Sequence, residues 1–202
     1  MLQNLSRALA AYFVVILLIA FNPGMTYGQE AAKPNAAPPE KAAGQEFPLR
    51  GQRAAREIKY SDWRKVCFKV PGTNTVCRTS IVGTFVTGQT AVRIDLTERE
   101  GDATKRLRLF LPVGLYLQAG VTLAVDQGTA YRIPYVWCLT NTCIAADVAD
   151  PELLKGLETG QKLQLEVVDS SVLTVSTVLP IDQFAAVRQG TPAQTFEQNV
   201  DE

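Results

Sequence analysis

Between Leu107 and Cys143 the chain runs through short stretches of alternating apolar and polar residues broken by turn formers, and the rest of the sequence is organised around this segment. Leu107, Leu109 and Leu111 recur every second residue with Arg108 between them, the signature of a strand buried on one face only. Pro112-Val113-Gly114 ends that strand in a turn, since proline donates no ladder hydrogen bond and glycine accepts positive φ. Val121, Leu123 and Val125 then alternate with Thr122, Ala124 and Asp126, predicting a second strand closed by Asp126-Gln127-Gly128. Tyr131, Ile133 and Tyr135 form a third alternating run. Its internal Pro134 places Tyr131 to Trp137 at a sheet edge or a bulge.

The same pattern extends in both directions. Asp62 to Val70 and Thr75 to Ile81, rich in aromatic and β-branched residues, flank a Pro71-Gly72 connection and predict a hairpin. Strands follow at Ala91 to Leu96 and Lys105 to Leu111, joined by polar residues 97–102. Asp150-Pro151-Glu152 predicts a short helix to Leu157: the aspartate caps, proline suits the first turn, and the glutamate meets the positive helix end. Lys162 to Val168 and Val172 to Leu179 bracket Asp169-Ser170-Ser171 as a last hairpin, and Asp182 caps a final turn from Phe184 to Arg188. Short strands, frequent turns and one or two short helices predict an all-β antiparallel sandwich, with a partly open barrel as the alternative.

The ends differ from this domain. Residues 1–28 carry one positive charge at Arg7, an apolar run from Ala8 to Phe21, a break at Asn22-Pro23-Gly24, and small residues before Gln29. That is the pattern of an export signal cleaved after Gly28. An uncleaved anchor is the alternative, although the run falls short of the roughly 20 residues of a spanning helix. Residues 29–57 form a flexible Pro/Ala-rich leader, basic in its second half and suited to peripheral contact with an anionic membrane as well as to a solvated tether. The folded domain is expected over 58–190, and 191–202 as a disordered tail.

Composition narrows the chemistry. Lysine plus arginine and aspartate plus glutamate number 20 each, yet residues 41–142 hold 15 basic and 8 acidic groups, and 143–202 hold 3 and 10. The halves have opposite sign, which is expected to cancel in part when they fold together, so nucleic-acid binding is not read from it. The chain contains no histidine, which removes serine-histidine, cysteine-histidine and histidine-metal chemistry together. Asp95, Asp126 and Asp147 remain as a conceivable carboxylate site of the glycosidase kind, set against ordinary structural duties for acids in turns and beside helix starts. Trp63 and Trp137 suit either sugar stacking or, beside cysteines, a core position; the core reading is preferred. No catalytic residue, cofactor or metal is assigned.

Four cysteines behind an export signal predict two disulfides. Zinc is the rival, but the Cys67 to Cys77 spacing is too wide for a knuckle, and no Cys-x-x-Cys supports redox catalysis. The hairpin reading of both segments favours local pairs, Cys67 with Cys77 and Cys138 with Cys143. Closing loops of this size contributes about 2 to 3 kcal/mol each on the chain-entropy view.

The order of signals is distinctive: Asp62-Trp63 before Cys67, then Cys77, Leu111-Pro112-Val113-Gly114-Leu115, Gly120-Val121-Thr122-Leu123, Val125-Asp126-Gln127-Gly128, and Tyr135 with Cys138 and Cys143-Ile144-Ala145. Over residues 60 to 188 this resembles the invasion-associated locus B family of exported bacterial proteins. Thr142 departs from the glycine expected before the last cysteine, which leaves the turn between Cys138 and Cys143 open. The resemblance implies an Ig-like β-sandwich, a place in the periplasm, at the outer membrane or outside a Gram-negative cell, and in pathogenic members a part in host-cell entry. It supplies no catalytic motif. The remaining hypotheses are a surface-binding envelope or secreted protein, its partner an unknown protein or envelope component, and a carboxylate hydrolase acting on an envelope glycan. The export reading is checked by N-terminal sequencing of the protein from whole cells, which should begin near Gln29; intact Met1 in the membrane fraction would replace the cleaved signal with a tether.

Overall fold

The computed structural model describes residues 50–197, so the signal segment, most of the leader and the last five residues lie outside the described residues. The strands are β1 (Gln52–Arg53), β2 (Ile58–Tyr60), β3 (Arg64–Lys69), β4 (Val76–Phe85), β5 (Thr90–Arg99), β6 (Arg106–Leu111), β7 (Val121–Val125), β8 (Ala130–Ile133), β9 (Tyr135–Cys138) and β10 (Cys143–Val148). After helix α1 (Pro151–Thr159) come β11 (Lys162–Val168) and β12 (Thr174–Pro180), then helix α2 (Phe184–Gln189) and β13 (Gln194–Glu197). They form two sheets. The smaller has the order β1-β12-β11-β7-β8, the larger β13-β3-β4-β5-β6-β10-β9, with β2 pairing β4 beyond β3. The molecule is an all-β sandwich with two short helices.

Alternation along the strands builds the core. Ile94 and Leu96 of β5 and Leu107, Leu109 and Leu111 of β6 point inward from the larger sheet, and Val121, Leu123, Leu163 and Leu165 meet them from the smaller one. Asp150 caps α1 by accepting from the Glu152 and Leu153 N–H groups at 2.8 and 3.2 Å, which satisfies donors a helix start leaves open. Leu153 and Leu157 of α1 and Phe184 of α2 complete the core cluster. Where β2 lies against β4, a Cβ at Gly83 would come within 2.7 Å of Ile58 and Tyr60 side-chain atoms, so the close approach requires glycine.

The chain passes between the sheets several times, and two of these crossings fall where the sequence predicts otherwise. On one side the single run expected from Tyr131 to Trp137 is two strands: β8 pairs β7 in the smaller sheet, and after Pro134 β9 pairs β10 in the larger. Proline falls at the switch, where its missing donor is harmless. On the other side the chain passes from β1, parallel to β12, to β2, antiparallel to β4. Ordered structure therefore begins inside the stretch assigned to the leader. The tail reading also needs correction, because Gln194–Glu197 pairs in parallel with β3 and Phe196 stacks on Phe68 at 5.4 Å. The aromatic stack and a bond from the Ala193 N–H to the Lys65 carbonyl at 2.8 Å hold this strand on the β3 edge.

Disulfides link Cys67 to Cys77 and Cys138 to Cys143, each across directly opposed residues of a strand pair. Two stability changes follow. Leu109→Ala, at a side chain with no solvent exposure, should cost about 3 kcal/mol or more through lost burial and a cavity. Replacing Cys138 and Cys143 together by serine should cost about 2 kcal/mol; denaturant unfolding of the two variants against the parent protein measures both.

Candidate binding surface

The outward residues of the larger sheet lie in cross-strand rows. Val66, Arg78, Thr97, Arg106 and Val148 make one row; Arg64, Ser80, Asp95, Arg108 and Ala146 the next; Val82, Arg93, Phe110, Ile144 and Trp137 the third. A last row joins Phe68, Val76 and Arg99. Six arginines (Arg64, Arg78, Arg93, Arg99, Arg106 and Arg108) therefore share a face with one carboxylate, Asp95. Repulsion is reduced by the way the guanidinium groups are seated. Arg93 lies 3.7 Å over the Phe110 ring, Arg78 lies 5.9 Å over Phe68, and Arg108 donates to the Thr97 hydroxyl at 3.0 Å. Such planar stacking is what guanidinium does and ammonium does poorly.

Asp95 is the buried centre of this face, with 1% of its surface exposed. Arg93 Nε approaches its Oδ1 to 3.2 Å. The pair is an ion contact and not an aligned hydrogen bond, since both atoms lack a hydrogen-bond partner. Burial pushes the Asp95 carboxyl above its usual range, against the opposing pull of Arg93, Arg78 and Arg108. Asp102, in the β5–β6 connection, goes the other way: the Thr104 N–H bonds its carboxylate at 2.7 Å and holds it low.

The three aspartates of the carboxylate hypothesis are not brought together. Asp95 belongs to the outer face of β5. Asp126 follows β7 in the smaller sheet, where its two oxygens accept from Gln161 and Lys162 N–H at 2.8 and 2.9 Å and clamp the entry to β11. Asp147 pairs in register with Leu107 near the end of β10 and accepts from the Val148 N–H. None of the three lines the cavity of about 300 Å³ between the sheets. Among the described residues, no group of acids, cysteines or histidines is placed to hold a metal.

The tryptophans part company. Trp63 is core: its ring meets Phe184 edge-on at 4.9 Å and its Nε1 donates to the Pro180 carbonyl. Trp137 is 67% exposed, which overturns the core expectation. The cause is a register shift against Ile144 and Ala145 that leaves Val136 unopposed in β9. A bulge inverts alternation, so Tyr135 turns inward and Trp137 outward onto the arginine face. The bulge carries no clear sequence signal beyond the neighbouring proline, and the arginine face was legible only as a basic first half.

Comparison with known proteins bears on the family and the fold. The family model described as "Invasion associated locus B (IalB) protein" matches residues 63–192. The chain belongs to the invasion-associated locus B family. A solved relative of the same fold is the crystal structure of invasion associated protein B from Bartonella henselae, with TM-score 0.56 and 19% identity over 64% of this chain and 90% of that one. No curated protein sequence matches.

The two carboxyls titrate apart in a way that can be read directly. An acid held above its ordinary pKa destabilises once ionised, so the Asp95 penalty grows as pH rises through that range and vanishes in acid. Asp102 contributes stability that is present above the ordinary pKa and lost as pH falls through its own lower value. Carboxyl 13C titration should place the Asp95 midpoint above, and the Asp102 midpoint below, the ordinary aspartate value; the reverse order would contradict the burial of Asp95.

Proposed function

We propose that this protein is an exported, non-enzymatic cell-envelope or secreted protein of a Gram-negative bacterium that acts by binding an anionic surface through the outer face of its larger sheet. The observation that carries the reading is the set of six arginines surrounding one buried carboxylate, bordered by Trp137 and the Phe68–Phe196 stack. Guanidinium groups on a flat sheet face present paired donors to phosphate, sulfate or carboxylate, and exposed aromatics add contact area. The guanidinium groups of Arg64, Arg99 and Arg106 have no hydrogen bond or ion pair among the described residues, although Asp102 lies within the electrostatic reach of the last two. Export is supported by the signal-like first 28 residues and by two disulfides, which persist in oxidising compartments. A link to host-cell entry is supported by the family's description and by the name of the Bartonella relative.

A carboxylate hydrolase is the weaker reading, since Asp126 is a backbone clamp and Asp95 is screened by arginines. The test is retention on dextran sulfate against uncharged dextran across a salt gradient. Parent protein should bind the sulfated polymer alone and elute with rising salt, as screening demands. The triple variant Arg64→Glu, Arg106→Glu, Arg108→Glu should elute at least tenfold earlier in salt while keeping its circular dichroism spectrum. Equal retention of parent and variant would remove the face from the function.

A further inference from the structure

Between the sheets, on the side crossed by the chain from β1 to β2, lies a cavity of about 300 Å³. This volume sits at the small end of the range for small-molecule sites, about 300 to 1,000 Å³. Its deep wall is apolar and buried: Val92 and Leu111 from the larger sheet, Leu165 and Val167 from the smaller. Its roof is the exposed segment Arg53-Ala54-Ala55-Arg56, so the space runs from the surface into the core. The two alanines leave it open where larger side chains would fill it.

The charge at this roof is uneven. Arg53 is neutralised by Asp169 at 3.0 Å, and Asp169 is itself fixed by accepting from Ser171 and Leu173 N–H groups. Arg56 stands 5.8 Å over the Phe85 ring and has no ion pair among the described residues; its neighbour Glu57 does not line the cavity. Water in the deep part of this space, against Val92, Leu111, Leu165 and Val167, is unfavourable, because apolar walls offer it few partners. We infer that the cavity binds a single-chain anionic amphiphile, its acyl chain among Val92, Leu111 and Leu165 and its carboxylate or phosphate head at Arg56. The volume admits one chain of medium length and excludes a two-chain lipid. The site is separate from the arginine face, so either proposal stands if the other fails.

The probe is dodecanoate, kept below its micellar concentration and compared with dodecyltrimethylammonium by calorimetry and by methyl NMR of the full exported protein. Dodecanoate should shift the methyl resonances of Leu111, Leu165 and Val175 and bind at least tenfold more tightly than the cationic chain. Arg56→Glu, at an exposed position, should lose that preference while leaving the unfolding midpoint unchanged, and Ala55→Trp should block both ligands at the roof. The inference is overturned by the absence of shifts at these methyls, by equal binding of both chains to the parent protein, or by an Arg56→Glu variant that binds dodecanoate as the parent does.

Discussion

Everything on the larger sheet depends on register. β5 and β6 pair so that Ile94 faces Leu109 and Leu96 faces Leu107 on the inside, while Asp95 faces Arg108 and Arg93 faces Phe110 outside. A slip of one residue would exchange the two faces. A slip of β6 would turn Leu107, Leu109 and Leu111 outward, at about 25 cal/mol for each Å² returned to water, and would bury Arg106 and Arg108 without partners. Core packing and the basic surface are thus one constraint seen from two sides, and neither can drift without the other. The hairpin disulfides sit on the same ladder: Cys67–Cys77 fixes β3 on β4, and Cys138–Cys143 fixes β9 on β10.

This constraint explains what was readable beforehand. Period-two alternation in Leu107-Arg108-Leu109-Phe110-Leu111 is local, and so are the Asp150-Pro151 helix start and the turn at Asp169-Ser170-Ser171; each appears where the sequence places it. The cysteine pairs of the structure also coincide with the hairpins that the turn residues indicate. Long-range features were hidden. Whether Pro134 bends an edge or moves the chain to another sheet depends on which neighbours await each half, and no single run of residues contains that information.

Trp137 and the charge distribution show the same limit. Counting by twos from Tyr135 puts Trp137 inside, and one unopposed residue at Val136 reverses the answer. The opposite charges of the two halves were expected to offset each other. Instead, the basic half supplies β3 to β6 of one sheet and the acidic half supplies β11 and β12 of the other, so the arginines of the first half stay together on an outer face. Ion pairs tie the halves where they do meet: Arg53 with Asp169, Lys69 with Glu197, and Arg188 of α2 with Glu98 of β5.

The parallel pairing of β13 with β3 has a consequence for how the protein behaves in a crowded envelope. A long sheet ending in an open strand offers its unpaired amide groups to any extended chain nearby. Here one edge ends in the short, bulged β9 and the other is occupied by the protein's own last strand, held through the aromatic stack of Phe196 on Phe68. Both edge strands are only four residues long, which leaves little template for another chain and favours a discrete particle over growth into fibres.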